Sequence, residues 1–500
     1  MPSSGRWILG ATILASSMTF IDATAVNVAL PALQADLHAT ITDVQWVIEA
    51  YALFLGALIL VGGSLGDQFG RKRVFLLGVS FFTFASILCG IAPSPRALIM
   101  SRALQGIGAA FLVPGSLAII SATFDDAERG RAIGTWSGFS AITTVIGPVS
   151  GGWLVEHVGW RAVFFLNVPL AVVVFALSFC FMNESRDPSR TTQIDWAGAT
   201  LAVLGLGGLV LGLLEWPPKG AGHPLVLTAL ATGSCSLVLL VIVERGARNP
   251  MLPLALFRSR PFSLTNALTL FLYAALGVTL FLVPLNLIQV QRYTATEAGA
   301  AFLPFPVIMF ALSRWSGGLV ARVGSRLPLA IGPAIAAAGL ALYARPGIGG
   351  TYWTTFFPAV VVLGFGMAVT VAPLTTAVMS AVEPQRAGAA SGVNNAVARI
   401  AGLLAIAVFG VVMTRMFEIR VQPRLDLIAL SPQARTDVGH ELPKMAGADV
   451  EQLHSLPPRE RTAVRAIIDA EFVFVFRVVI LGSAGLALVA AFLGRALSDP

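Results

Sequence analysis

Of the charged residues that stand inside otherwise apolar stretches, three carry most of the chemistry open to this chain. Asp22 follows Phe20 and Ile21 and is followed by Asn27 and Pro31. Glu49 lies three residues past Trp46, and Arg102 precedes Gln105, Gly106 and Gly108. A charge in hydrocarbon is costly, so such residues face a cavity or pair with one another. Asp22 is the leading proton or cation site; a structural hydrogen bond or ion pair within a helix bundle is the alternative. If Glu49 shares a cavity with Asp22, each carboxylate strengthens the other's hold on a proton, and removal from water acts in the same direction. If Glu49 lies at the membrane interface, it meets water instead. Arg102 can pair with a carboxylate in one state and release it in another, letting protonation bias the conformation. Its alternative is a fixed structural partner.

The same stretches hold residues suited to a substrate cavity around Asp22 and Glu49. Phe20, Trp46, Tyr51, Trp136 and Phe139 offer aromatic faces, which hold cations by cation–π contact. Asn27, Asn394, Asn395 and Arg399 add polar atoms. Asp22 would attract a cationic substrate. Other chemistry finds little support. His38, His157, His223, His440 and His454 are scattered, without catalytic or metal-ligand spacing. Cys89, Cys180 and Cys235 lie inside apolar runs and read as small hydrophobes, with no disulfide framework. The formal charge is +7, but no basic cluster is longer than Arg71-Lys72-Arg73, so nucleic acid is not an expected partner. No enzyme activity, cofactor or metal is expected.

The elements that position these residues follow from composition. The chain is 56% hydrophobic and 12% charged, against about 25% charged in ordinary soluble domains. A membrane-spanning helix needs about 20 mostly apolar residues. Such runs lie near 7–31, 44–65, 74–92, 96–121, 133–155, 162–182 and 194–216. Further runs lie near 224–243, 262–290, 299–320, 327–345, 355–380, 388–414 and 472–494. The count of fourteen predicts an all-α polytopic membrane protein. Arg6 before the first run raises the question of a signal peptide; the run continues through Asp22 into further apolar sequence, so 7–31 reads as a retained helix. With the N-terminus inside, sixteen bases fall in cytoplasmic segments and five in short outer loops. That bias orients the chain in a cell membrane with both termini cytoplasmic. Residues 418–470 form one long outer loop with seven Lys/Arg and eight Asp/Glu, a cap or a tether, helix-compatible from Arg459 to Asp469.

Two segments echo each other at predicted cytoplasmic helix ends. Gly63 to Arg73 reads GSLGDQFGRKR, and Gly318 to Arg326 reads GLVARVGSR. A repeated tight turn with bases suggests a duplicated bundle. The fifth run carries Gly138, Gly147, Pro148, Gly151 and Gly152, a face without bulk that suits close helix packing or rocking between half-bundles.

On these residues the chain resembles the major facilitator superfamily, and more closely its fourteen-helix drug:proton antiporter family. Ile21 to Pro31, IDATAVNVALP, matches that family's first-helix signature, and Gly63 to Arg73 matches the superfamily's loop between helices two and three. Arg102 with Gln105, Gly106 and Gly108 matches the fourth-helix motif, whose arginine is tied to proton coupling. Gly138, Gly147-Pro148 and Gly151-Gly152 match the fifth-helix antiporter motif. Trp160-Arg161 with Phe165, Asn167 and Pro169 also fits, as does Gly388 to Asn395, GAASGVNN. The resemblance covers nearly the whole chain. It implies two six-helix bundles, within residues 1–193 and 244–500, and an inserted helix pair at 194–243. It makes Asp67, Arg71 and Arg322 gating charges, and Asp22, Glu49 and Arg102 the proton-coupling set. Two departures stand out. The run from Gly299 to Gly318 lacks the acid that some relatives use for divalent cationic drugs, and Gln68 stands where many relatives carry a base.

The expected function is proton-coupled export of amphipathic, cationic or neutral, small molecules by alternating access. The expected partners are substrate, protons and membrane lipids, with the chain acting as a monomer. An exporter dedicated to one lipid, peptide-like compound or metabolite is the alternative. A non-transporting membrane receptor or scaffold is the third reading.

Overall fold

The computed structural model describes residues 3–497 apart from 125, 186–194, 248–251, 253, 318, 383–386 and 429. In hydrocarbon a chain must satisfy its backbone internally, and every apolar run folds as helix. The first bundle contains α1 (Ser3–Asp36), α2 (Ile41–Phe69), α3 (Arg71–Gly90), α4 (Pro95–Thr123), α5 (Asp126–His157) and α6 (Asn167–Phe181). Next come α7 (Trp196–Lys219) and α8 (Pro224–Gly246). The second bundle contains α9 (Arg260–Leu285), α10 (Pro304–Gly317), α11 (Arg326–Tyr343), α12 (Phe357–Ser380), α13 (Ala387–Leu425) and α14 (Pro458–Arg495). Among the described residues, thirteen helices are long and apolar enough to cross a membrane. The remaining predicted run, 133–155, lies within the 32-residue α5.

Breaks within the runs are local. The run at 162–182 starts with a short helix, Arg161–Phe165, before α6. Ala295–Ala301 precedes α10, and α9 ends in a π turn over Asn286–Val290. Helix α2 begins with a capping box: the Asp43 N–H donates to the Thr40 hydroxyl at 3.2 Å, and the Thr40 N–H donates to the Asp43 carboxylate at 2.9 Å. In the first bundle α2 and α3 pack on α4, while α1 packs on α5 and α6. In the second, α9 packs on α13 and α14, and α11 on α12 and α14. Helices α7 and α8 pack on each other where Gly208 meets Gly233, and α7 also touches α2 and α13. Exposed apolar side chains such as Leu77, Phe84, Val172, Phe179 and Phe492 give the outer surface its lipid-compatible character.

The end of α1 meets the start of α14. Arg465 donates to the Gln289 carbonyl at 3.0 Å, and Gln289 Nε2 donates to Gln34 Oε1 at 2.7 Å. Both chain ends therefore lie on the opposite face, the terminal face, and this junction marks the far face. Contacts between the bundles gather at the far face. Gly152 abuts Ala295, Gly299 abuts Pro148, and Gly410 abuts Gln45, each too closely for a side chain at the glycine. The Thr296 hydroxyl donates to Glu156 at 2.5 Å across the same seam.

The predicted loop at 418–470 is shorter than expected. Helix α13 runs on to Leu425 and α14 starts at Pro458, and the two extensions are joined by Glu471, which lies 2.5 Å from Arg420 and 2.7 Å from Arg424. The intervening segment is a cap. Gln34 donates to the Lys444 carbonyl at 3.2 Å, and Arg465 donates to the carbonyls of Ala446 and Ala448 at 2.8 and 2.9 Å. A Cβ on Gly447 would come within 2.6 Å of Gln34 Oε1. Among the described residues, three non-glycine residues have left-handed φ, namely His38 (51°), Arg292 (64°) and Met445 (53°). His38, Arg292 and the neighbours of Met445 border one cavity of about 560 Å³ beneath the cap. Backbone strain concentrates where surrounding structure enforces it.

Both echoed turns carry a glycine with positive φ at the terminal face: Gly70 has φ 112° and Gly324 has φ 73°. Beyond Gly70, the Glu184 carboxylate accepts from the N–H groups of Lys72 and Arg73 at 3.0 and 3.2 Å, capping α3 at its positive end. A Cβ on Gly70 would lie 2.7 Å from the Glu184 carboxyl carbon. Gly70→Ala is therefore expected to lower stability by about 1–3 kcal/mol, through backbone strain and displacement of Glu184. Thermal unfolding of the purified protein in detergent checks this, and an unchanged midpoint would contradict it.

Candidate functional site

Asp22 lies midway along α1, and Arg102 lies one turn into the buried part of α4. Arg102 Nη1 is 2.5 Å from Asp22 Oδ2, and both residues are about 1% exposed. Helical spacing supplies the next member: Gln105, three residues past Arg102, points the same way. Its Oε1 accepts from Arg102 Nη1 at 2.6 Å, while its Nε2 donates to Asp22 Oδ1 at 2.8 Å and to the Ser86 hydroxyl at 2.7 Å. Asn167, the first residue of α6, donates to Ser86 at 3.1 Å and to Asp22 Oδ1 at 3.4 Å. Arg102 Nε donates to the Val47 carbonyl of α2 at 3.0 Å. The Tyr51 ring lies 4.3 Å from the guanidinium carbon, a cation–π contact. Side chains or carbonyls of α1, α2, α3, α4 and α6 thus meet at one ion pair. Nothing in an apolar run flags Ser86, and Asn167 enters the sequence reading only through the family resemblance of the segment from Trp160 to Pro169.

A central cavity of about 410 Å³ lies between the bundles. Phe20 and Asn27 of α1, Tyr51 of α2 and Arg102 of α4 line one side. Tyr273 and Phe281 of α9 and Asn395 and Arg399 of α13 line the other. Asp22 is not on the wall; it sits behind Arg102, with both oxygens hydrogen-bonded. Among the described residues, no carboxylate borders this cavity. Arg399 has no hydrogen-bond or ion-pair partner there, and the buried Tyr51 hydroxyl is unpaired.

Several expected cavity residues lie elsewhere. Glu49 is fully buried, but it neither borders the cavity nor bonds to Asp22, and both of its oxygens lack partners. Helical period explains this. Trp46, Glu49 and Leu53 share one face of α2, and Trp46 and Leu53 pack with Leu206 and Val210 of α7 and Leu403 of α13. Val47 and Tyr51 lie on the face turned to α4. The expectation that the two acids share one cavity is therefore corrected, as is the choice of Trp46 for its wall. Trp136 donates to the Ser16 hydroxyl at 3.0 Å, and Phe139 is 49% exposed. Asn394 turns to α9, donating to Asn266 at 3.1 Å and to Thr269 at 2.7 Å.

The glycines of α5 divide by partner. Gly147 and Gly151 press on Thr24 and Ala25 of α1, within one bundle. Pro148 and Gly152 meet the segment Ala295–Ala301 across the seam. The side chain of Asp67 and the surroundings of Gly138 lie outside the described residues. The Arg71 N–H donates to the Ser185 carbonyl at 3.0 Å, and Arg322 is exposed at the terminal face.

Breaking a buried pair by removing one partner costs about 3–5 kcal/mol, because the other charge is left uncompensated. Arg102→Gln is therefore expected to unfold at lower temperature than the double variant Asp22→Asn/Arg102→Gln, which removes both charges. Thermal unfolding of the single and double variants tests the coupling; strictly additive losses would contradict it.

A family model described as Major Facilitator Superfamily matches residues 12–406. The chain is 35% identical over 431 residues to the multidrug resistance protein Stp of Mycobacterium tuberculosis (strain CDC 1551 / Oshkosh), across 85% of this chain and 79% of that one. It is 34% identical over 400 residues to a tetracenomycin C resistance and export protein of Streptomyces glaucescens, across 79% and 73% of the two chains. A crystal structure of a bacterial homologue of the human lysosomal transporter Spinster, inward-facing and unoccupied, matches with a TM-score of 0.68 at 16% identity, over 99% of this chain and 98% of that one. At that identity the likeness speaks for the fold alone. The matched segment takes in α1 with Asp22, α4 with Arg102 and both sides of the central cavity, and the chain is a multi-pass membrane protein that belongs to the Major Facilitator Superfamily.

Proposed function

We propose that this protein is a secondary transporter that exports amphipathic small molecules from the cytoplasm in exchange for protons. The observation that carries this reading is the buried pair of Asp22 and Arg102, whose arginine lines a cavity between two bundles. The resistance and export functions in the names of the relatives support the direction of transport. The distribution of bases supports placing the terminal face in the cytoplasm and the capped far face outside. We take residues 1–193 and 244–500 as the moving halves and 194–243 as the inserted pair, whose α7 bridges α2 and α13.

The coupling follows from charge. While Asp22 is ionised, both its oxygens are engaged and Arg102 is neutralised. A proton on Asp22 removes the countercharge and leaves the guanidinium with Gln105, the Val47 carbonyl and the Tyr51 ring. The cation then gains from turning toward the cavity, and the α1–α4 contact loosens. Glu49, at the meeting of α2, α7 and α13, is a second acid able to hold a proton without displacing a partner. A proton crossing the membrane carries about 2.3 kcal/mol for each 100 mV of potential. The far-face cap, held by Gln34, Gln289 and Arg465, would be the contact that opens when substrate leaves.

Proteoliposomes test the proton role. For any compound that a thermal-shift screen of the purified protein identifies, Asp22→Asn is expected to retain exchange of labelled for unlabelled substrate. The same variant is expected to lose accumulation driven by an imposed pH gradient. Full gradient-driven accumulation by Asp22→Asn would rule Asp22 out as the proton site.

A further inference from the structure

Arg399 is an arginine in the middle of a membrane protein, on the wall of the central cavity, with no partner among the described residues. Charges in such places are otherwise paired or solvated, because an uncompensated one is costly. Helix α2 comes close beside it: the Arg399 Cβ lies 3.9 Å from where a Cβ on Gly56 would stand. On the same cavity wall the Tyr51 hydroxyl is buried and unpaired. Tyr51 cannot turn away freely, since its ring is stacked on Arg102 at 4.3 Å. The other lining arginine, Arg102, is already neutralised by Asp22 from behind. The described wall therefore carries one uncancelled positive charge and no acid.

We infer that the central cavity binds amphipathic organic acids, with Arg399 and the Tyr51 hydroxyl receiving the anionic group. This rests on the export reading above and specifies its substrate. A guanidinium donates in a planar fork that matches a carboxylate, and a phenol hydroxyl adds a third donor. Phe20, Tyr273, Leu280, Phe281 and Ile406 line the rest of the cavity and suit an aromatic or aliphatic body. The volume of about 410 Å³ falls in the range of pockets for drug-sized ligands. A cationic drug would meet two arginines here, and the acid expected to attract it, Asp22, is behind one of them. The charge balance of the cycle follows. A monoanion leaving while one proton enters moves two positive charges inward, so an inside-negative potential drives both movements. A monocation leaving against one proton moves none.

The test uses the full chain in proteoliposomes and three probes with one aromatic body: pyrenebutyrate, pyrenebutanol and pyrenebutyl-trimethylammonium. Transport is read under an imposed pH gradient, with and without a potassium–valinomycin potential. The wild type is expected to carry pyrenebutyrate in preference to the ammonium probe, faster when the potential is applied. Arg399→Gln is expected to lower the acid-to-ammonium transport ratio by roughly tenfold or more, the scale of a lost charge-assisted hydrogen bond. Arg399→Lys should restore part of that ratio. Tyr51→Phe keeps the ring on Arg102 and should weaken pyrenebutyrate binding about threefold; if Arg399→Gln does not fold, this variant and Arg399→Lys carry the test. Preference for the ammonium probe would overturn the inference and leave the export reading intact. An equal loss of all three probes in Arg399→Gln would place Arg399 in the conformational machinery and also overturn it. If the wild type carries none of the three, while compounds from the thermal-shift screen are pumped, only the inference falls; if nothing is pumped, the export reading falls with it.

Discussion

An arginine and an aspartate removed from water hold each other well only where their remaining donors and acceptors are also met. In this protein that condition recruits residues from five helices to one point. Gln105 bridges the two charges, Ser86 and Asn167 position Gln105 and the carboxylate, and the Val47 carbonyl takes the remaining Arg102 donor described. The packing of the first bundle serves the same end. Gly62 lets α2 press on the backbone of α4 at Ala110, and Gly108 lets α4 approach Phe82 of α3. Larger residues there would push α2 and α3 away from the pair.

The pair also separates two kinds of surface. Behind Arg102 lies a network in which each described polar group but the Asn167 carbonyl oxygen has a partner. In front lies a cavity where the Tyr51 hydroxyl and the Arg399 guanidinium have none among the described residues. A ligand that meets those donors, and a proton that frees Arg102, would act on the same wall from opposite sides. Communication between proton and substrate then requires no long pathway, since Tyr51 touches the guanidinium and borders the cavity. At the far face the constraint is different: left-handed backbone at His38, Arg292 and Met445 is held by the cap and the helix ends. Strain at a closed seam lowers the cost of opening it.

Much of this was legible in the residues. Apolar length placed the helices, and isolated charges marked Asp22 and Arg102 because the runs around them are otherwise uncharged apart from Arg96 at the edge of the second. Gln105 follows from a helical spacing of three. What failed did so for identifiable reasons. Counting apolar residues ended the thirteenth helix near 414 and began the last near 472, yet charged segments continue both, because Glu471 binds Arg420 and Arg424 between them. Glu49 was grouped with Asp22 because periodicity gives a helix its faces without saying which neighbour each face meets. Only the packing of α7 against α2 shows where that face turns. Ser86 carries no signal in an apolar stretch, and a cap built on carbonyl contacts to Arg465 leaves none in its side-chain types.

The proposed cycle requires Asp22 to change protonation and thereby to free Arg102. Difference infrared spectroscopy of the purified protein reads that event directly, as a carboxylic acid carbonyl band that appears when the pH is lowered. One component of that band is expected to be lost in Asp22→Asn, together with a shift in the guanidinium bands that is lost in Arg102→Lys. A difference band identical in the wild type and in Asp22→Asn would contradict it.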